Sequence, residues 1–318
     1  MHKIAIIEKI HQDGIDLLKN NSAIEFEIIE DTSEENLIKV LPNFDACTLR
    51  VSKLNKKILS ECKNLKVISR HGVGYDNVDL NYIKKNNISL LITATANAVA
   101  VAEHVISMFL CISKSIFQYD HEVRAGNFKN NSNKIQTFEL LNKNILIAGF
   151  GRIGKKLISR CLAFDAKVYV YDPYVDDDVV KQFGGIKVDN IEEGLKIADY
   201  ISLHMPLTKE TSNLINYSIL KKMKKNSIIV NTARGGIINE LDLEKALNEG
   251  IIFGAALDVF SKEPVEKDNP LLKNRKVILS PHSATFTDEC TSRMGIETTK
   301  NIIEFFENKL DKSKIVKL

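Results

Sequence analysis

An apolar run that breaks into three spaced glycines constrains this chain more than any other feature. Residues Ile145 to Ala148 are apolar throughout and lead into Gly149-Phe150-Gly151-Arg152-Ile153-Gly154. Leu157, Ile158, Cys161 and Leu162 then recur at helical spacing. A strand, a glycine turn and a helix in that order give each glycine a mechanical role. Gly149 allows the tight turn, Gly151 lets backbone approach a pyrophosphate, and Gly154 lets the helix pack close to the strand. The free N–H groups and the dipole at the helix start favour a phosphate. A second strand, Lys167 to Tyr171, ends in Asp172. That acid lies about twenty residues past the glycines, where a ribose hydroxyl would be bound. The hexapeptide alone is also compatible with an ordinary glycine turn; strand, helix and Asp172 in register favour a dinucleotide site.

A chain of 318 residues is too long for one compact core, so two domains are expected. The net charge is only +3, with no basic stripe carrying interleaved aromatics, so nucleic acid is not an expected partner. The lysine run 221–225 reads as a solvated helix end. No apolar run has membrane-spanning length, and the N-terminal stretch reads as a strand without a signal-peptide cleavage site. Cys47, Cys62, Cys111, Cys161 and Cys290 are odd in number, widely spaced and lack a Cys-x-x-Cys pair. They read as reduced thiols of a cytoplasmic protein, and no metal site is expected.

Residues 1–97 alternate short strands and helices. Strands are expected at 4–8, 25–29, 46–49, 66–69 and 88–92, with helices at 14–20, 33–41, 56–62 and 80–86. Such alternation calls for a parallel sheet covered by helices on both faces. His71-Gly72-Val73-Gly74 is a glycine turn without an immediate helix, and so not a second dinucleotide site. The alanine-rich stretch 98–112 reads as a buried helix crossing from one domain to the other, and 124–138 as a polar loop. From 144 to about 282 the alternation resumes, with strands at 145–148, 167–171, 200–203, 228–231, 253–257 and 277–279. A final helix over 287–308 returns the chain to the first domain. The expected fold is α/β with two doubly wound parallel sheets: a substrate domain, 1–97 with 285–318, and a dinucleotide-binding domain, 98–284.

Three groups follow consecutive strands in the second half: Arg234 after Asn231-Thr232-Ala233, Glu263 after Ala256-Leu257-Asp258, and His282 after Ser280-Pro281. Ligands of open α/β sheets sit beyond the carboxyl ends of the strands. An arginine fork suits a carboxylate, and a histidine suits proton exchange with an alcohol or ketone. A carboxylate beside that histidine would favour its charged form and fix its orientation. Taken singly, Arg234 is equally a helix-start residue, Glu263 a solvated loop acid and His282 a capped loop histidine. Their position at three consecutive strand ends beside the glycine loop joins them. His204 also follows a strand and reads as lining the cofactor; His71, His104 and His121 read as structural.

In these stretches, together with Gly72-Val-Gly-Tyr-Asp-Asn-Val-Asp79, Ala96-Asn-Ala-Val-Ala-Val-Ala-Glu103, Tyr171-Asp-Pro and His204-Met-Pro, the sequence resembles the D-isomer-specific 2-hydroxyacid dehydrogenases. The resemblance covers nearly the whole chain and is strongest to the D-3-phosphoglycerate dehydrogenase branch. It implies a Rossmann-type cofactor domain beside a flavodoxin-like substrate domain, NAD as cofactor, and a homodimer joined through the cofactor domain. It implies that Arg234 binds the substrate carboxylate, His282 is the acid/base and Glu263 its partner. Gly149, Gly151, Arg152, Ile153 and Gly154 would meet the pyrophosphate, and Asp172 the ribose. Met205, Thr232, Ala233 and Asp258 would line the nicotinamide side, with Asp258 near the carboxamide, and His204, Pro206 and Ala284 would also meet the cofactor. Arg50, Arg70, Val73, Gly74 and Asn97 would contact substrate, Arg50 being placed for a phosphate.

Ser283-Ala284-Thr285, Ala94-Thr95 and Asn142-Lys143-Asn144 depart from the branch's usual pattern and leave the substrate open. The resemblance implies either 3-phosphoglycerate or an unphosphorylated acid of the glyoxylate, hydroxypyruvate or lactate type. The chain stops near the returning helix, so a C-terminal regulatory domain and serine feedback through it are not expected. A cofactor-sensing binding protein, like the corepressors built on this fold, is the rival of another class. Formate dehydrogenase relatives typically carry glutamine where Glu263 stands.

Overall fold

Ile145 and Ile147 face one way and Leu146 and Ala148 the other, and all four are fully buried. A strand of that kind needs cover on both faces, as parallel sheets between helices provide. A computed structural model, describing residues 1–128 and 135–318, contains two such sheets. Much of the expected loop 124–138 lies outside the described residues.

The first ninety-seven residues form β1 (His2–Ile7), α1 (Gln12–Lys19), β2 (Ile24–Ile29), α2 (Glu34–Val40), β3 (Ala46–Leu49), α3 (Lys56–Glu61), β4 (Val67–Arg70), α4 (Leu80–Lys85) and β5 (Ser89–Ile92). Short polar side chains start the helices. Ser33, Asn55 and Asp79 each accept a backbone N–H three residues on, satisfying donors the helix itself leaves unpaired. The second stretch holds α5 (Ala98–Ser113), α6 (Ile116–Arg124), β6 (Asn144–Ala148), α7 (Arg152–Leu162), β7 (Lys167–Tyr171), α8 (Asp177–Gln182), β8 (Ile186–Lys187) and α9 (Ile191–Ile197). It continues with β9 (Tyr200–Leu203), α10 (Tyr217–Leu220), β10 (Ile228–Asn231), α11 (Glu240–Asn248), β11 (Gly254–Leu257) and β12 (Val277–Leu279); α12 (Asp288–Phe306) follows. The chain divides into two compact units, Met1–Asn97 with Phe286–Leu318, and Ala98–Thr285.

In the first unit the strands run parallel in the order β2-β1-β3-β4-β5, the flavodoxin-like winding. Alternate residues feed two cores: Ala5, Ile7, Cys47, Leu49 and Ile68 on one face, Ile4, Ile6, Ala46 and Val67 with Ile302 of α12 on the other. A Cβ on Gly14 of α1 would lie 2.5 Å from the Gly295 carbonyl carbon, so α1 and α12 meet backbone to backbone. Ser69 Oγ donates to Thr298 O at 2.8 Å and Asn301 Nδ2 to Ile92 O at 3.2 Å, tying α12 to β4 and β5.

In the second unit seven parallel strands run β12-β11-β10-β9-β6-β7-β8, so the winding reverses between β6 and β9. This is the Rossmann order with a strand added at one edge, and the reversal is where such folds bind ligands. The residues Tyr171, Ala148, Leu203, Asn231, Leu257 and Leu279 pair in one row across six strands. Every candidate group of this unit leaves the sheet just past that row.

Three features differ from the expected elements. Ser115 takes a left-handed conformation (φ 50°), which breaks α5 from a second helix, α6, bent by 54°. α5 itself lies within the second unit, packed on α7. The two-residue β8 is too short for any periodicity to announce it. Among the described residues no single helix is long and apolar enough to cross a membrane.

Candidate functional site

Because β10, β11 and β12 end in register, short loops bring their followers together. Asn231, almost fully buried, accepts the Ala233 N–H through Oδ1 and donates Nδ2 to Arg234 O at 2.8 Å, folding the Arg234 turn back on its strand. The next residue is a glycine because nothing larger fits. A Cβ on Gly235 would lie 1.8 Å from Phe260 O. The Arg234 turn thereby rests against the loop that carries Glu263.

Glu263 accepts the Phe260 N–H through Oε1 at 3.0 Å and faces His282 Nδ1 through Oε2 at 2.8 Å. Burial pushes its carboxyl up. The His282 and Phe260 hydrogen bonds, with the His282 and Arg234 charges, outweigh that and hold it below the usual carboxylate range. Since the carboxylate only accepts, Nδ1 carries the proton and His282 Nε2 is left as the base. His282 sits at φ 52°, a left-handed conformation uncommon for a non-glycine residue and of the kind that clusters at functional sites.

Asp258 explains how that conformation is held. Its main-chain oxygen accepts the His282 N–H at 2.8 Å. Its carboxylate, only 1% exposed, accepts Ser280 Oγ at 2.6 Å, Ser283 N at 2.8 Å and Ala284 N at 3.0 Å. Read from sequence as lining the nicotinamide side, Asp258 stands here as the post around which residues 280–284 are wrapped.

The glycine loop sits at the reversal of the sheet. Gly149 has φ 101°, and a Cβ there would lie 2.8 Å from His204 O; a Cβ on Gly154 would lie 2.5 Å from Gly149 O. Only glycine fits either position. Gly151 faces open space and starts α7 with no side-chain cap, leaving the N–H groups at Arg152 and Ile153 for an outside acceptor. Asp172 anchors the same loop, accepting Phe150 N at 2.7 Å and Tyr174 N at 2.9 Å. Along the row lie further polar atoms without a protein partner among the described residues: Thr232 Oγ1 and His204 Nδ1. Met205 is buried, and Pro206 is exposed with its carbonyl taken by Thr211 Oγ1. Burial pushes the His204 imidazole down to about 4. It stays neutral near pH 7 and is no source of a proton. An open phosphate cradle, a fixed acid at the ribose position and two orphaned polar atoms fit a dinucleotide.

In the first unit Arg50 follows β3, Arg70 ends β4 and His71 comes next. Arg50 Nη1 donates to Lys9 O, and Arg70 Nη1 to Leu49 O and His71 O. Glu8, unnoticed in the sequence, holds the Arg50 loop by accepting Val51 N and Ser52 Oγ. Burial, then the Arg50 and Arg70 charges, push His71 down to about 4. The cluster therefore offers two fixed positive charges beside a neutral imidazole. Val73, Gly74 and Asn97 are half-buried. No cluster of three potential metal ligands exists among the described residues, and all five cysteines are free.

Residues 106–284 match the NAD binding domain of the D-isomer specific 2-hydroxyacid dehydrogenases. The chain is 36% identical over 302 residues to D-3-phosphoglycerate dehydrogenase of Archaeoglobus fulgidus, covering 95% of this chain but 56% of that protein. It thus spans little more than half the length of that relative. It is 34% identical over 313 residues to glyoxylate reductase of Thermofilum pendens, covering 97% of this chain and 92% of that one. A crystal structure of D-lactate dehydrogenase from Aquifex aeolicus, complexed with NAD and lactic acid, superposes with a TM-score of 0.86 at 29% identity, over 98% of both chains.

Proposed function

Because the chain belongs to the D-isomer-specific 2-hydroxyacid dehydrogenase family, we propose that it interconverts a D-2-hydroxy acid and its 2-oxo acid with NAD. The observation that carries this reading is the His282–Glu263 pair, at 2.8 Å, on the sheet edge that also bears Arg234 and the glycine loop.

NAD, when bound, supplies the acceptor for the hydride from C2. The N–H groups at Arg152 and Ile153 hold its pyrophosphate, Asp172 its ribose, and Thr232 and His204 the nicotinamide side. The Arg234 guanidinium pairs with the substrate carboxylate and keeps C2 in place. His282 Nε2 takes the hydroxyl proton as the alcohol is oxidised, and returns it when the 2-oxo acid is reduced. Glu263 keeps the ring oriented and balances the imidazolium charge.

For the substrate's tail, the Arg50, Arg70 and His71 cluster supports a phosphate, as in 3-phosphoglycerate and 3-phosphohydroxypyruvate. The unphosphorylated reading has its own support, because the glyoxylate reductase match extends over 92% of that protein. The exposed apolar residues Ile116, Phe117 and Val123 of α6, with Phe128 just beyond, support a homodimer through the second unit. Five unpaired thiols fit the cytoplasm.

The test is NADH oxidation with a panel of 2-oxo acids, phosphorylated and not. Turnover of at least one is expected. NADH binding without turnover of any would favour the cofactor-sensing alternative.

A further inference from the structure

His104 enters the site by a route the sequence does not show. It lies on α5, is 19% exposed, and points Nε2 at Ser280 Oγ from 3.2 Å. Ser280 has one hydroxyl hydrogen, and at 2.6 Å it goes to Asp258 Oδ1. The serine oxygen is therefore left as an acceptor, and His104 Nε2 must be the donor. The same nitrogen lies 3.8 Å from Asp258 Oδ1, so both groups address one carboxylate oxygen. With His104 donating, the hydroxyl has one orientation. Asp258, so fixed, holds Ser283 N and Ala284 N after His282 with its side chain and His282 N with its main chain.

We propose that His104 is a positioning residue for the loop that carries His282, acting through Ser280 and Asp258. Its hydrogen bond goes to Ser280 and not to Glu263 or His282, and its part is to keep the left-handed turn at His282 in the one arrangement that aims Nδ1 at Glu263. This rests on His282 being the acid–base group. A merely space-filling histidine would be replaced by an apolar side chain of similar size without consequence. A positioning histidine needs a donor at Nε2, which glutamine supplies and leucine does not.

His104→Leu should lower kcat for 2-oxo acid reduction about ten- to a hundredfold, the cost of a small misplacement of a reacting group, with NADH still bound. His104→Gln should recover most of that loss. Ser280→Ala should lower kcat alike, and adding His104→Leu to it should cost little more, because the two act in series. A second arm uses no turnover. In 15N-histidine NMR the His104 ring should carry its proton on Nε2, and the His282 ring resonances should move in His104→Leu and return in His104→Gln. A proton on Nδ1 alone, unmoved His282 resonances, or His104→Leu and Ser280→Ala losses that multiply would each overturn the proposal. If no 2-oxo acid is turned over, the enzymatic reading fails while the NMR arm still decides this one.

Discussion

Nδ1 of His282 stands 2.8 Å from Oε2 of Glu263, and the other oxygen of that carboxylate is occupied at 3.0 Å by the Phe260 N–H. The acid therefore cannot turn away from the histidine without abandoning a backbone donor. Its second contact comes from its own loop, which Gly235 presses against the Arg234 turn. Carboxylate, imidazole and guanidinium are thus positioned by three loops that hold one another.

Removal of the imidazole should separate chemistry from binding. A positioned general acid contributes about a hundred- to ten-thousandfold. His282→Ala is expected to lower kcat by that range while NADH binding, measured by fluorescence titration, stays intact. Turnover near wild type would take His282 out of the mechanism.

Glu263→Gln should act on the pH profile. The Glu263 carboxyl is held below its ordinary value of 4.5, so its contribution to stability is complete above that value and is lost as pH falls through the folded one. Near neutral pH it is ionised throughout, and changes there report the charge it sets against the imidazolium. On the proposed reading, reduction of a 2-oxo acid needs protonated His282, and a glutamine amide offers no charge to balance it. The alkaline limb of kcat/KM for reduction should move to lower pH in the variant. An unmoved limb, with kcat changed or not, would separate Glu263 from the proton step.

On the proposed reading Asp172 has a second duty besides its loop contacts, and its replacement should show both. Its charge opposes a 2′-phosphate, so NADH should be preferred strongly over NADPH. Its oxygens also hold Phe150 N and Tyr174 N. Asp172→Ser should therefore narrow the NADH/NADPH ratio of kcat/KM and raise KM for NADH as the loop loosens. The shift in ratio should reach about ten- to a hundredfold if one or two charge-assisted contacts are lost. Equal use of both cofactors by the unmodified protein would contradict the assignment.

Much of this framework was legible in the chain. The strands at 167–171, 200–203, 228–231 and 277–279 were announced by apolar runs bounded by polar breaks, and the structure has them at those residues. The glycine loop was legible because strand, turn and helix each leave a local signature. Long-range polar contacts leave none. Ser280, Ser283 and Ala284 reach Asp258 across 22 to 26 residues, and two of those three donors are backbone N–H groups that no sequence pattern displays. His104 read as one more residue of an apolar helix, and Glu8 as a strand end, for the same reason. β8 and the Ser115 break escaped because two residues have no period and one left-handed serine has no partner glycine to mark it.

Gly235 tests whether the loops must touch. A methyl group there would lie 1.8 Å from Phe260 O, and the obstacle is backbone, which gives way less easily than a side-chain tip. Overpacking of this kind costs about 1–3 kcal/mol. Gly235→Ala should lower the melting temperature and should also reduce kcat/KM, because relieving the clash parts Arg234 from Glu263. A variant that melts lower but turns over normally would show the contact to be structural alone.

The phosphate reading of the substrate's tail rests on the arginines of the first unit. Arg50 is tied to Lys9 O by one nitrogen of its guanidinium, and its charge, with that of Arg70, acts on buried His71. An arginine so placed holds a doubly charged phosphate well and gains little from a hydroxymethyl or methyl tail. If the phosphate reading holds, 3-phosphoglycerate should be oxidised far better than glycerate or lactate. Arg50→Ala should then raise KM for the phosphorylated acid alone, by about ten- to a hundredfold, as the loss of a charge-assisted contact of about 1.5–3 kcal/mol requires. Should Arg50 serve only its loop, the variant would instead lose stability and affect every substrate alike. Comparing kcat/KM for phosphorylated and unphosphorylated acids, with and without Arg50, separates the two. No preference for the phosphate in the unmodified enzyme would assign the chain to the glyoxylate- and lactate-type reductases, and Arg50 to the architecture of the β3 loop.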